Sequence, residues 1–150
     1  MDALELATRY KKAVEESLGV IANIENENRV VAFKYPDFGT FLFAIDAKDD
    51  PEYMMLLFPN FADKDMTGGD VNKLLELVNN VNGSNKAAKL SMRDDSSVTA
   101  TIECYLAAEN KAPTLEVLSS VIKRNVSSIR SAVAALRLAG KAESSENSSA

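Results

Sequence analysis

Between Ala3 and Leu18 the apolar residues fall at Ala3, Leu6, Ala7, Tyr10, Ala13, Val14 and Leu18. This i, i+3, i+4 spacing predicts an amphipathic helix. Glu5, Arg9, Lys12, Glu15 and Glu16 fall mostly off that stripe, and Gly19 is a natural stop because a left-handed residue there carries no Cβ penalty. The period then changes. Val20 to Glu25, Arg29 to Tyr35, Thr40 to Asp46 and Tyr53 to Phe58 are rich in Val, Ile, Phe and Tyr, and they are separated by Glu25-Asn26-Glu27-Asn28, Pro36-Asp37-Phe38-Gly39 and Lys48-Asp49-Asp50-Pro51. These are strand and turn signals. Connections of about four residues cannot carry a parallel crossover, so an antiparallel meander is expected. Thr40 to Asp46 and Tyr53 to Phe58 are apolar on both faces, which predicts cover on both sides, one of them supplied by a partner chain.

Thr67-Gly68-Gly69-Asp70 matches an acidic capping box and opens a second helix with the stripe Val71, Leu74, Leu75, Val78 and Val81, leaving Leu77 beside it. Asn79, Asn80, Asn82 and Gly83 close that helix. Lys86 to Arg93 and Ser97 to Leu106 follow as a hairpin about Asp94-Asp95-Ser96, and in the second strand Val98, Ala100, Ile102, Cys104 and Leu106 alternate with Thr99, Thr101, Glu103 and Tyr105. Thr114 is the expected N-cap of a third helix, with Glu116 in its first turn and Leu115, Leu118, Ile122, Ile129, Val133 and Leu136 as its stripe. A helix of roughly 26 residues spans about 39 Å, so it either overhangs the sheet or breaks near Asn125. Ser144 to Ala150 have nothing to bury and read as disordered. The expected organisation is one α+β domain over 1–141 with a disordered tail over 142–150.

Composition narrows the chemistry. The 150 residues include no His, no Trp and one Cys, with 17 basic against 22 acidic side chains and a net charge of −5. No His means no Ser-His-Asp triad, no Cys-His pair and no imidazole ligand, and a single Cys forms neither an internal disulfide nor a Cys-rich zinc site. The N-terminus lacks the apolar core of a secretory signal, and no apolar run approaches the roughly 20 residues of a membrane span. A cytoplasmic location, no membrane partner and no cofactor are therefore expected. Net acidity argues against nucleic acid as a partner. The charge is uneven, however: residues 114–141 hold five basic and one acidic side chain.

Each motif with a known chemistry has a simpler reading. Asp37-Phe38-Gly39 spells a kinase metal triplet but sits in a short turn without a Gly-rich loop. Gly68-Gly69 lacks any phosphate-loop pattern and reads as capping. Asp46, Asp49, Asp50 and Glu52 lack the spacing and central Gly of a calcium loop. Cys104, on the apolar face of its strand, reads as a core thiol. A carboxylate-dependent enzyme or metal binder remains a remote alternative. The basic segment offers another: two helices meeting near Asn125, with Ser127 or Ser128 capping the second, would be a helix-turn-helix presenting Arg130 and Arg137 to nucleic acid.

The order α, four strands, α, two strands, α, together with Leu74-Leu75-Glu76-Leu77-Val78-Asn79-Asn80-Val81-Asn82 leading into the Lys86 to Arg93 and Val98 to Leu106 strands, resembles the YbjN-like family of bacterial sensory transduction regulators. The most specific match is the helix close, where Asn79 and Asn82 fit the family pattern and Asn80 is an extra Asn. The likeness covers roughly residues 3–138 in element order. That family is similar to the chaperones of type III secretion, small acidic cytosolic dimers that hold extended effector segments on hydrophobic grooves. The resemblance implies an antiparallel α+β fold and a homodimer without catalytic residues. Leu77, the two-sided strand Tyr53 to Phe58 and the long third helix point independently to a covered apolar surface. The expectation is a non-enzymatic module binding another polypeptide or a second copy through Met54, Leu56, Phe58, Phe61 and Leu77.

Overall fold

In the computed structural model, which describes residues 1–149, the elements are α1 (Ala3–Leu18), β1 (Ala22–Glu25), β2 (Val30–Tyr35), β3 (Gly39–Ala44), β4 (Tyr53–Ala62), a 3₁₀ turn (Lys64–Thr67), α2 (Val71–Ser84), β5 (Lys89–Met92), β6 (Val98–Tyr105) and α3 (Leu115–Ser149). The expected α+β class and element order are both present. The six strands form one antiparallel sheet in the order β1-β2-β3-β4-β6-β5. The first four make the meander that short turns dictate, with Ala22 opposite Phe33, Val31 opposite Phe43 and Leu42 opposite Leu57.

The chain divides into two compact units, each made of two chain segments. The first holds residues 1–57 and 102–126; the second holds 58–101 and the chain from Ser127 onward. In the first unit α1 lies against β1 and β2. It begins with Asp2, whose carboxylate accepts from the Glu5 N–H at 2.8 Å, and ends at Gly19 with φ 67°. Leu6, Ala7, Tyr10, Ala13 and Val14 are its buried stripe, and the Tyr10 ring sits 5.0 Å from Phe43. Phe33 stacks on Phe41 at 5.3 Å. Burial and the nearby Cys104 push the Tyr10 hydroxyl far above its ordinary value. Serine and arginine contacts tie α1 to the start of α3: Ser17 Oγ donates to the Ser119 carbonyl, and Arg9 donates to the Pro113 carbonyl.

In the second unit Leu74, Leu77, Val78 and Val81 of α2 are buried together with Leu90, Val98, Ala100, Ile129, Val133 and Leu136. Here Asp70, not Thr67, caps α2, accepting from the Lys73 N–H at 3.0 Å. Thr67 instead closes the 3₁₀ turn, donating to the Lys64 and Asp70 carbonyls. Gly68 and Gly69 both have positive φ between those two elements. The stripe reading of α2 shifts by one position as well, because Leu77 is buried while Leu75 is exposed.

The third helix is continuous from Leu115 through Ser149, about 52 Å at 35 residues. No break occurs at Asn125. Residues 142–149, expected as disordered tail, continue that helix, and Ala150 lies outside the described residues. Within that stretch Glu143 ion-pairs with Lys73 of α2 at 3.5 Å. That contact lies beyond Gly140, where the missing side chain makes room for Met66. Glu143 and Glu76 together raise the Lys73 ammonium above its ordinary value.

Both outer strands of the sheet have four residues, and on each one residue is bonded by side chains of a helix. On β1 the Ala22 N–H donates to Glu15 Oε2 at 3.0 Å and the Ala22 carbonyl accepts from Lys11 Nζ at 2.6 Å, while Lys11 and Glu15 pair at 2.9 Å. On β5 the Leu90 N–H donates to Asn82 Oδ1 at 2.7 Å and the Leu90 carbonyl accepts from Asn82 Nδ2 at 2.9 Å. Asn82 thus copies the donor and acceptor of a neighbouring strand. Ser128 of α3 also fastens the entry to β5, donating to the Lys86 carbonyl and accepting from the Ala88 N–H.

Two outcomes are expected. Asn82→Ala strips both partners from Leu90 and lowers unfolding free energy by about 1–3 kcal/mol in urea titrations, an unmet polar group being the main cost. For Glu15, the Ala22 N–H and then Lys11 hold the carboxyl below its ordinary value. Stability from that bond is complete above the ordinary carboxylate value and disappears as pH falls through the lowered one. The protection factor of the Ala22 amide, its exchange corrected for the intrinsic rate at each pH, should therefore fall on acidification only below the usual carboxylate range.

Candidate protein-binding face

Strand alternation assigns the side chains of the first unit to two faces. Register places Val31, Phe33, Phe41, Phe43 and Leu56 on one face. Helices cover that face: Tyr10 of α1 meets Phe43, and Asn125 of α3 donates to the Met54 sulfur at 3.9 Å. The opposite face carries Val30, Ala44 and Met55 in one row and Ala32, Leu42 and Leu57 in the next. Ala32 is buried, and the other five are partly exposed. An apolar strip therefore runs across β2, β3 and β4 on the side away from α1 and α3.

One end of the strip is aromatic and acidic. Tyr53 and Tyr105 meet with ring centroids 5.3 Å apart at 58°, and Tyr105 is 72% exposed. Burial, then a hydrogen bond to Glu103, pushes the Tyr53 hydroxyl up to about 12. Beside this pair lies an open hollow of about 370 Å³ lined by Arg29, Val30, Ala44, Asp46, Asp50, Tyr53 and Met55 among others. Asp50 is held above its ordinary value by partial burial and by Glu52 and Asp46. Glu52 itself is buried and structural: its carbonyl accepts from the Leu106 N–H and its carboxylate from the Asn110 N–H. Asp46 accepts from the Lys48 and Asp49 N–H groups as a turn residue.

The residues expected to contact a partner fall elsewhere. Met54 and Leu56 are completely buried under the helices, and Phe58 and Leu77 are buried in the second unit. Phe61 is partly exposed beneath the Arg137 guanidinium, 5.8 Å from its ring. Met55 and Leu57, which alternate with Met54 and Leu56 along β4, are the partly exposed side chains of that strand segment. Their signal in the sequence is the double-sided apolar pattern itself; what one sequence lacks is the register that says which side the helices take.

The other motifs resolve into structural roles. Asp37-Phe38-Gly39 is a turn in which Phe38 N–H donates to the Tyr35 carbonyl. Because α3 is unbroken, the two-helix arrangement of a helix-turn-helix does not form. Cys104 is partly buried, and burial raises its thiol above the ordinary value. Among the described residues no group of three or more Cys, Asp or Glu is placed to hold a metal ion, and no helix is long and apolar enough to cross a membrane. Compared with known proteins, the chain matches no family model, no curated protein and no solved structure.

Face assignment has a direct check. Met54→Ala should cost about 2–5 kcal/mol in urea unfolding, as for a buried large-to-small change. Met55→Ala, one residue away but on the strip, should cost about 0.5 kcal/mol or less.

Proposed function

We propose that this chain is a non-enzymatic protein-binding module that docks an extended polypeptide segment on the open face of β2, β3 and β4. The observation that supports it is the partly exposed apolar strip of Val30, Leu42, Ala44, Met55 and Leu57 opposite the face covered by the helices. Strips of this kind, apolar at the centre with charged residues around them, have the anatomy of interfaces. Closure of Ala22 on β1 and Leu90 on β5 favours docking on the face over strand addition at an edge. A chaperone-like role, implied by the resemblance to the YbjN-like family, is a form of polypeptide binding that such a face suits.

A homodimer, which the same resemblance implies, is the second reading, favoured by the unbroken strip extending over three strands. A specific dimer interface requires about 800 Å² per protomer.

Binding of apolar peptides from an immobilised panel tests the reading. The wild-type chain should capture them, and Leu42→Asp with Leu57→Asp should abolish capture while the far-ultraviolet melting curve is retained. Unchanged capture by that folded variant overturns the assignment. Light scattering on the same pair reads self-association: a wild-type dimer that the variant dissociates assigns the face to a second copy.

A further inference from the structure

The open strip has a polarity along β4. Tyr53, Met55 and Leu57 share one face at the two-residue period of a strand. The Tyr53 end is bordered by carboxylates: Glu103 lies beside the Tyr53 hydroxyl, and Asp50 and Asp46 line the adjoining hollow. Among the described residues, none of Glu103, Asp50 and Asp46 takes part in an ion pair. Arg29 is the basic side chain lining the hollow. Tyr105 leaves most of its ring to solvent while resting on Tyr53. An exposed tyrosine ring bordered by carboxylates attracts a cation twice over, through the ring quadrupole and through charge.

Resting on the reading of this face as a docking surface, we propose that its occupant is a segment of another protein carrying lysine or arginine, seated on the Tyr53–Tyr105 pair beside Glu103 and Asp50, with apolar side chains two and four residues along lying on Met55 and Leu57. A second copy of the chain fits less well. Face-to-face stacking brings two faces that are both bordered by carboxylates, Glu25 and Glu103 among them, onto one another, and an excess of like charge disfavours that pairing. A basic flank on a foreign segment neutralises them instead. The preferred sequence is a cation followed at every second position by an apolar residue, because an extended segment presents alternate side chains to one surface.

Two fluorescein-labelled peptides test this on the full chain by anisotropy: Lys-Ser-Val-Ser-Leu and its counterpart with Glu in place of Lys. The Lys peptide should bind about tenfold more tightly, with the advantage falling as salt rises. Glu103→Gln combined with Asp50→Asn should remove most of the preference, and Tyr105→Ala should weaken the Lys peptide alone; circular dichroism melting verifies that both variants fold. Equal binding of the two peptides overturns the cationic partner while leaving the docking face intact. Binding of neither overturns both, and a wild-type dimer in light scattering that Leu57→Asp dissociates overturns the foreign cationic segment while assigning the face to a second copy.

Discussion

Every peptide group in a sheet needs a hydrogen-bonding partner, and at the outermost strands the supply of neighbouring strands ends. This chain meets that demand with side chains. An ion pair from α1 takes the donor and acceptor of Ala22, and a single asparagine from α2 takes those of Leu90. The helices must therefore lie where these side chains can reach, which fixes α1 beside β1 and α2 beside β5. Within the first unit, α1 and the start of α3 occupy one side of the meander and bury Phe33, Phe41, Phe43, Met54 and Leu56. Leu42, Met55 and Leu57 are left on the other side as a consequence of the same arrangement.

Local signals were sufficient wherever an element is decided by its own residues. The bounds of α1 follow from its period and from Gly19, and the hairpin of β5 and β6 follows from alternation about a polar turn. Thr67-Gly68-Gly69-Asp70 fits an acidic capping box, but Thr67 ends the 3₁₀ turn and Asp70, three residues on, is the cap of α2. The length of α3 was underestimated because Ser and Glu after Gly140 have no apolar stripe to announce a helix; within that stretch lies a contact distant in sequence, Lys73 with Glu143. Propensity yields to such contacts routinely.

The candidate face was legible as a pattern and illegible as a list. Two strands apolar on both sides signal a surplus of apolar surface, and β3 and β4 do carry one. Which alternate residues form it depends on cross-strand register and on the side the helices choose, both non-local. Met54, Leu56 and Phe58 are the better-buried half of the strand. Asn82, singled out as a helix terminator, turned out to serve the strand beyond, a role that only the juxtaposition of α2 and β5 reveals.

The interleaving of the chain has a further consequence. Each compact unit draws on two separate stretches of sequence, and β4, β6 and α3 each supply residues to both. A single proteolytic nick in any loop leaves at least one unit missing part of its own polypeptide. The molecule is therefore poorly suited to being shuffled in halves between genes or expressed as fragments. Complementation of two separately produced pieces would have to re-form each unit from segments carried on different pieces, and selection on either unit acts on two separate stretches of the chain.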